Sequence, residues 1–291
     1  MAFSARILKD SISEAGHRLT TMEVTFPRII LAEFNTHRAF SRNSASSRAI
    51  PVEKMLKKVE EDPFVPVHWG KNQKGMQAND EVSPELAWTS EVEWLSARDA
   101  AVKHAKELLK LGIHKQITNR LLEPWLWHTV IVTATEWSNF FALRCHPDAQ
   151  PEIQRIARMM KELHDASKPR HVDDHGWHLP LVDDHQQLID DGFSADDIAR
   201  ISVGRCARVS YLTHDGKRDP NADIELAERL KLSGHSSPWE HVGQPMERWW
   251  LDEPGLTGWD GNFYGWHQLR KTLLHEDDFG ELQRSLAQEG E

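Results

Sequence analysis

Cysteine is scarce in this chain of 291 residues, where only Cys145 and Cys206 occur. Two cysteines cannot supply a disulfide framework or a four-thiolate zinc site, and their scarcity fits a reducing compartment. Long apolar runs are also missing, since no stretch reaches the roughly 20 residues that a membrane-spanning helix needs. The first residues lack the apolar core of a signal peptide. We therefore expect a soluble, cytoplasmic protein with no membrane partner.

An excess of positive charge is absent as well, because the formal net charge is −10 at pH 7. Proteins that bind long nucleic acids usually carry a broad basic face, so this balance argues against such a partner. One segment departs from the acidic background, since residues 36–48 contain three arginines, a histidine, four serines and an asparagine. A local basic segment in an acidic body favours a small anionic ligand.

The side chains of this segment are suited to phosphate. Arginine forks hold phosphate oxygens in pairs, and serine and asparagine favour turns and helix starts whose free N–H groups add further donors. A solvated basic loop would have the same composition. The apolar run at residues 26–34 comes just before the segment and would anchor it on a buried element. The sequence therefore predicts a site for a phosphate-bearing ligand.

Two other kinds of site are less well supported. The histidine- and aspartate-rich stretch 171–185, with His164 nearby, has metal-ligating side chains, but its spacing matches no established zinc pattern. We interpret it as a polar rim or lid and predict no metal site. Cys145 follows Arg144 directly, and a neighbouring cation lowers a thiol pKa. No histidine can be paired with Cys145 from the sequence, so we interpret both cysteines as structural.

Local patterns predict a mixture of strands and helices. Alternation indicates strands over 3–10 and 18–26, and Ser83 with Pro84 opens a long helix towards Gly112. The side chains predicted to face inward on that helix are Leu86, Val92, Leu95, Val102, Ala105 and Leu109. Further helices are predicted over 133–144, 149–165 and 223–233, and residues 194–197 resemble a capping box.

Twelve tryptophans are many for this length. We expect most of them in the core, although some could stack on a planar ring such as a flavin or pterin. The tryptophans with that alternative are Trp125, Trp127, Trp137 and Trp239. The aromatic and polar run at residues 263–270 receives no role from the sequence.

The basic segment resembles the motif Arg-His-Arg-x-x-Ser-x-Asn-x-x-Ser-x-Arg-Tyr of the flavin-dependent thymidylate synthases (ThyX). The positions in register are His37, Arg38, Ser41, Asn43, Ser46 and Arg48. Thr36 stands in place of the first arginine, and Ala49 stands in place of the tyrosine.

Two further blocks resemble the same family. Residues 120–154 are similar to its Arg-x-x-Leu-Pro, Asn-Phe-Leu-x-Leu-Arg and Ala-Gln-Trp-Glu-Ile-Arg run, with Asn139 and Arg144 in register. Residues 207–211 and 234–241 resemble Ala-Arg-Val-Ser-Tyr and Gly-His-x-Ser-Pro-Phe-Glu-His. The last block comes first in the family and last here. We therefore interpret the chain as circularly permuted, which is tolerated where old termini are close and new ends are exposed.

The resemblance implies an α+β fold in which helices pack on a mixed or antiparallel sheet. On this interpretation the whole chain, 1–291, is a single elaborated domain. The motif blocks lie at 22–49, 113–165 and 203–242, with possible insertions at 50–82 and 166–200. The resemblance implies a homotetramer with shared active sites that binds FAD, NADPH and 5,10-methylenetetrahydrofolate. Its implied reaction is the C5 methylation of deoxyuridine monophosphate (dUMP) to thymidine monophosphate (dTMP).

The resemblance also implies roles for single residues. Arg144, Ser46 and His241 are the implied catalytic residues, with Arg144 stabilising negative charge on the pyrimidine ring. The implied substrate-binding residues are Ser46, Arg48, Arg120 and Arg144. The implied cofactor-binding residues are His37, Arg38, Asn139 and Ser210.

Departures from the family pattern leave alternatives open. Thr36 and Thr135 replace arginines that would hold the flavin, while Glu33 and Ser44 replace a glutamine and a glutamate near the nucleotide. An acid in place of an amide changes which hydrogen bonds a base can receive. The chain could act on a cytidylate, or release a hydroxymethyl product. Outside the enzymes, the alternative is a nucleotide-binding regulatory protein.

Overall fold

The fold is built on a five-stranded mixed sheet, and the computed structural model describes residues 2–78, 80–211, 218–253 and 255–289. Strand order is β3-β4-β2-β1-β5. The strands are β1 Ser4–Ser13, β2 Arg18–Pro27, β3 Ser41–Ser44, β4 Trp127–Ala134 and β5 Arg170–Val172. Neighbouring strands are antiparallel except β1 and β5, which are parallel. The predicted α+β class with a mixed sheet is confirmed.

Helices cover both faces of this sheet. The described α-helices are α1 Leu31–Phe34, α2 Val52–Glu61, α3 Pro84–Lys110, α4 Lys115–Thr118, α5 Ser138–Arg144, α6 Pro151–Ala166, α7 His185–Asp190, α8 Ala195–Tyr211, α9 Pro220–Leu232, α10 Arg248–Asp252 and α11 Phe279–Glu289. Short 3₁₀ turns lie at Arg28–Ile30, Asn119–Trp125, Ser237–His241 and Leu269–Thr272. Among the described residues, no helix is both long and apolar enough to cross a membrane.

The two faces of the sheet differ in chemistry because successive strand residues point to opposite sides. On one face, Met22, Val24 and Val132 form the main core together with α5 and α6. On the other face, α8 packs with Cys206 and Val209 against strand β4, next to the β3 edge. Polar side chains also lie buried on this second face, close to the 3₁₀ turn Ser237–His241. The functional residues described below lie at the β3 edge of the sheet.

Helix α3 begins where the sequence predicts. The hydroxyl of Ser83 accepts a hydrogen bond from the backbone N–H of Leu86, and Pro84 occupies the first helical position. The predicted inward face is wrong at two positions, because Leu86 is 57% exposed and Val92 is 45% exposed. The helix packs on α2 and the turn Asn119–Trp125 from Trp94 onwards, and Val102 and Ala105 are buried there.

The helix predicted over 133–144 is also partly wrong. Residues 133 and 134 end strand β4, and α5 begins only at Ser138. The capping box at 194–197 is confirmed, since Ser194 and Asp197 each accept a hydrogen bond from the backbone N–H of the other. Gly234 lies just beyond the end of α9, with the positive φ of 70° that a glycine tolerates there.

The residues after the third motif block form small sheets beside strand β3. Strand β6, Gly243–Pro245, pairs with β9, Trp266–Gln268, and β7, Trp259–Asp260, pairs with β8, Phe263–Tyr264. The indole N–H of Trp266 donates to the carbonyl of His17, and the N–H of Tyr264 donates to the hydroxyl of Thr135. This segment therefore contacts the turn between β1 and β2 and the residue after β4, and Gln268 at the end of β9 reaches Ser41 of β3.

Candidate active site

Arg144 is the last residue of α5, and its guanidinium is held by the first motif block. Its Nε donates to Nε2 of His37 at 2.9 Å. Its Nη2 donates to the hydroxyl of Thr36 at 3.1 Å and to the carbonyl of Glu33 at 3.3 Å. The structure thus brings together His37 and Arg144, which the resemblance assigns to flavin and pyrimidine.

The environment of His37 keeps its imidazole neutral. Burial, together with the positive charges of Arg144 and Arg42, lowers the pKa of His37 from 6.5 to about 4. The ring packs edge-on against Phe140, with centroids 4.9 Å apart. A neutral imidazole has one nitrogen that accepts a hydrogen bond, so Nε2 can accept the hydrogen bond from Arg144. Across the described part of the chain, no carboxylate forms an ion pair with Arg144, and its positive charge is left for a ligand.

A cavity of about 400 Å³ lies at the other end of the basic segment. Ser46 and Arg48 line it and are exposed, whereas Asn43 is buried at its wall. The facing wall comes from the third motif block and includes His235, Ser237 and Pro238. The first and third blocks therefore meet in space, although they lie far apart in the sequence.

Arg120 is linked to the loop at this cavity, because it and Ser47 bind the same carboxylate. Its Nη1 donates to Oε1 of Glu123 at 2.7 Å, and the hydroxyl of Ser47 donates to the same oxygen at 2.6 Å. The amide of Asn119 donates to the carbonyl of Ser47 at 2.7 Å. These contacts fix the loop that carries Ser46 and Arg48. They also keep the exposed Arg120 within the same cluster.

A second group of cations surrounds the start of strand β3. Burial lowers the pKa of Arg42, and the charge of Arg38 lowers it further, while Glu240 acts in the opposite direction. Nη1 of Arg42 is buried and has no hydrogen-bond partner within the described residues. Burial raises the pKa of Glu240, although Arg270 forms an ion pair with it. The donors of Arg38 and Arg42 suit an anionic ligand.

His241, which the resemblance implies as a catalytic residue, is fully buried. Its Nδ1 is hydrogen bonded to the hydroxyl of Thr133 at 2.8 Å. Thr133 contacts the hydroxyl of Thr21, which contacts His178, and His178 contacts Ser11. Burial lowers the pKa of His241 to about 3 and lowers the pKa of His178 well below 6.5. Nε2 of His241 has no partner in the described part of the protein.

The remaining predicted site residues have simpler surroundings. Asn139 is exposed on α5. The side chain of Ser210 lies outside the described residues. Trp125, Trp137 and Trp239 are buried, which confirms their interpretation as core residues, and Trp127 is half-buried.

Neither cysteine resembles an activated nucleophile. Burial raises the pKa of both thiols, which confirms the structural interpretation. His178, in the stretch 171–185, is fully buried and hydrogen bonded. No group of three or more metal-ligating side chains converges in the residues that the structure describes.

Sequence reasoning missed two polar side chains that support this site. Gln268 is 2% exposed and contacts Ser41, yet the run that contains it was given no role. His178 is fully buried within the chain of hydrogen bonds that runs from Ser11 to His241. A polar residue in an aromatic run such as 263–270 is the one available signal for Gln268. It indicates a buried polar contact without naming the partner.

Comparison with known proteins places residues 8–170 in one family. They match the Thy1 profile, which is described as thymidylate synthase complementing protein. No curated protein matches the chain. A crystal structure of the UMP/dUMP methylase PolB from Streptomyces cacaoi bound with 5-Br dUMP is 18% identical, with a TM-score of 0.46, and the match covers 55% of this chain and 89% of that one. The same methylase bound with 5-Br UMP gives 18% identity, coverage of 55% and 88%, and a TM-score of 0.45. At these scores, neither likeness bears on the activity of this chain.

Proposed function

Because the chain belongs to the Thy1 family, the thymidylate synthase complementing proteins, and is a methyltransferase of thymidylate synthase type, we propose that it methylates dUMP at C5 to give dTMP. The observation that carries the proposal is the guanidinium of Arg144. It is held by neutral His37 and by Thr36, and no carboxylate among the described residues forms an ion pair with it. A site of this kind stabilises negative charge that develops on a bound ring.

Arg144 supplies charge and orientation in this proposal. C5 of a pyrimidine is nucleophilic when negative charge is shared between C5 and the adjacent carbonyl oxygen, and a guanidinium stabilises that charge without giving up a proton. The bond from Nε to His37 and the bond from Nη2 to Thr36 fix the plane of the fork. The protein therefore holds one side of the guanidinium, and the other side would contact the substrate. This pre-organisation lowers the cost of aligning the two groups.

The nucleotide phosphate would bind at the 400 Å³ cavity. Ser46 and Arg48 are exposed at its wall, and Arg120 would act as a second clamp from the Glu123 cluster. Charge-assisted bonds from arginine to phosphate are about twice as strong as neutral hydrogen bonds. Arg48 and Arg120 would therefore supply most of the affinity, and Ser46 would set the orientation of the phosphate.

The chemistry of the donor set also fits a flavin dinucleotide. Arg38 is exposed, and Arg42 beside it has a buried N–H without a partner in the described residues. Both can donate hydrogen bonds to phosphate oxygens. His37, Arg38, Asn139 and Ser210 would hold FAD in this proposal. When bound, FAD reduced by NADPH supplies the hydride, and methylenetetrahydrofolate supplies the one-carbon unit. Thr36 and Thr135, in place of arginines, leave fewer charged donors, and Arg42 would supply a further one.

We further propose a homotetramer whose copies share active sites. Arg144 and the 400 Å³ cavity lie at opposite ends of the basic segment, which supports a site completed by a second copy. Helix α3 supports the same proposal, because Leu86, Trp88 and Val92 are exposed along its first half at 57%, 69% and 45%. Light scattering should give four times the chain mass. A monomeric mass in the presence of dUMP would contradict the shared site.

Circular permutation of the motif order also remains a proposal. The family match contains the first two blocks and ends at residue 170, before the third block. The third block nevertheless packs on the first, with Ser237 Oγ 3.5 Å from Asn43 Oδ1. That contact supports an arrangement in which the block order has changed and the three-dimensional site has been retained. The cytoplasmic location and the single domain likewise remain predictions.

The decisive experiment measures product mass. Purified protein would be incubated anaerobically with FAD, NADPH, methylenetetrahydrofolate and either dUMP or dCMP. A mass gain of one CH₂ on dUMP would support the proposal, and the same gain on dCMP would favour the cytidylate alternative. A gain of CH₂O would indicate a hydroxymethyl product. Tight dUMP binding without bleaching of the flavin absorption would favour a nucleotide-binding regulatory protein.

A further inference from the structure

Gln268 is a buried polar side chain that no predicted role includes. It ends strand β9 and is only 2% exposed. Its amide nitrogen donates to the hydroxyl of Ser41 at 2.9 Å and to the backbone carbonyl of Glu240 at 3.2 Å. One amide therefore links the start of strand β3 to the turn Ser237–His241, using both of its N–H groups.

The two segments that Gln268 links form opposite walls of the cavity. Strand β3 leads from Ser41 into the loop with Ser46 and Arg48, while Ser237 and Pro238 come from the turn. Strand β3 is at the edge of the sheet, so its backbone is paired with β4 on one side only. An edge strand of this kind relies on side chains for support on its outer side.

Both the backbone and the side chain of Gln268 are held in place by neighbouring residues. Its backbone N–H donates to Oδ2 of Asp260 at 3.1 Å. Gly261, with φ of 58°, packs so closely that an added Cβ would lie 2.1 Å from Oε1 of Gln268. Asn262 contributes a longer bond to the same Ser41 hydroxyl, at 3.4 Å. The amide can therefore transmit a fixed geometry from the carboxyl-terminal segment to the cavity.

We propose that Gln268 is a positioning residue for the nucleotide site, because it fixes the separation between the walls carried by Ser41 and Glu240. The inference rests on the proposed function for its ligand, a pyrimidine nucleoside monophosphate. Without the two donors, two buried acceptors lose their partners, and the walls gain freedom to move apart. A ligand that contacts both walls must then also order the loop, which costs conformational entropy and weakens binding. The effect on nucleotide binding should exceed the effect on the chemical step.

The test replaces the donors while keeping the shape of the side chain. Gln268→Met removes both N–H groups at similar volume, and Gln268→Glu keeps the shape but cannot donate to the Glu240 carbonyl. Gln244→Met is the matched control. Gln244 lies on the paired strand β6, and its substitution makes the same chemical change beside the site. Calorimetry with dUMP, hydrogen exchange and steady-state kinetics would be measured on the full chain.

We expect both Gln268 variants to bind dUMP at least tenfold more weakly, with KM raised more than kcat is lowered. Amide exchange should increase over residues 41–48 and 236–241 and stay unchanged over β1. Gln244→Met should bind dUMP within twofold of the natural protein. Ser41→Ala removes the shared acceptor from the other side and should give the same pattern, which covers the case in which a Gln268 variant does not fold.

The outcomes separate this inference from the proposed function. Unchanged dUMP affinity and unchanged exchange in the Gln268 variants would overturn the positioning role while the methyltransferase proposal stands. If the natural protein binds no pyrimidine nucleotide, the proposed function fails. The local rise in exchange over residues 41–48 would then still support the positioning role, and its absence would overturn that role as well.

Discussion

At the scale of single residues, the strongest test concerns the fork of Arg144. Lysine at this position would keep the positive charge but could not reproduce the planar pair of donors to His37 and Thr36. We expect Arg144→Lys to lower turnover of dUMP by about 10²-fold or more, since loss of one preorganised donor typically has an effect of that size. Product formation at saturating substrate measures this directly.

Folding should be unaffected in this variant, because Arg144 lies at the end of α5 and is only half-buried. Thermal unfolding followed by circular dichroism provides that check. Arg158→Lys is a suitable comparison, since Arg158 is exposed on the neighbouring helix α6 and should tolerate the change. Equal turnover of Arg144→Lys and the natural protein would remove Arg144 from the catalytic assignment.

At the scale of secondary structure elements, helices α8 and α9 make an unusually close approach at Gly204. A Cβ at this position would lie 2.2 Å from the backbone oxygen of Asp223. Glycine to alanine normally stabilises a helix interior by about 0.5–1 kcal/mol. Here we expect the opposite sign, with Gly204→Ala lowering the free energy of unfolding by about 1–3 kcal/mol through overpacking. Urea unfolding measures this difference.

The strain would also reach an ion-pair cluster. The carboxylate of Asp223 accepts from Arg208 at 2.6 Å and from Arg205 at 3.3 Å, and Asp223 is 1% exposed. Gly280→Ala is the comparison, because its Cβ would first meet the flexible carboxylate of Asp278, at 3.2 Å. A stabilised Gly204→Ala protein would show that α8 and α9 can separate without cost.

Element boundaries set by local chemistry were predictable, and burial set by distant packing was not. Ser83 with Pro84 and the Ser194 capping box act within one helical turn, so the sequence contains the whole signal. Apolar periodicity on α3 identifies an apolar face but does not show whether another element packs on it. Leu86 and Val92 are therefore exposed despite their spacing. The missed strand end at residues 133–134 has the same origin, since strand pairing with β2 decides it.

At the scale of the whole molecule, the site follows from topology as much as from motifs. The motifs located His37 and Arg144, which are 107 residues apart and hydrogen bonded. No motif could locate Gln268, because its bond to Ser41 spans 227 residues and depends on how the carboxyl-terminal segment packs on the sheet edge. The burial of His241 has the same cause, since α8 and the turn Ser237–His241 cover β3 and β4. Motif spacing predicts which chemistry is present, and tertiary packing decides which side chains a ligand can reach.

The buried histidines also set how the whole molecule responds to acid. Burial lowers the pKa of His128 and of His241 to about 3, that of His37 to about 4, and that of His178 well below 6.5. In the unfolded chain each imidazole takes up a proton near pH 6.5, whereas in the folded protein each stays neutral. Stability is therefore complete above pH 6.5 and is lost as the pH falls towards 4 and then 3. Each histidine contributes a slope of up to about 1.4 kcal/mol per pH unit.

Four such groups give a combined slope of up to about 5 kcal/mol per pH unit, which is comparable to the total stability of a typical domain. We expect urea unfolding to show this steep loss between pH 6.5 and 5, above the range in which ordinary carboxylates titrate. His241→Gln should reduce the slope by about 1.4 kcal/mol per pH unit, whatever its effect at pH 7.5. His146→Gln is the comparison variant, because the side chain of His146 is 58% exposed. A slope in the natural protein below that of a single histidine would mean that these imidazoles are hydrated or charged in the folded state, and that the polar chain from Ser11 to His241 is open to water.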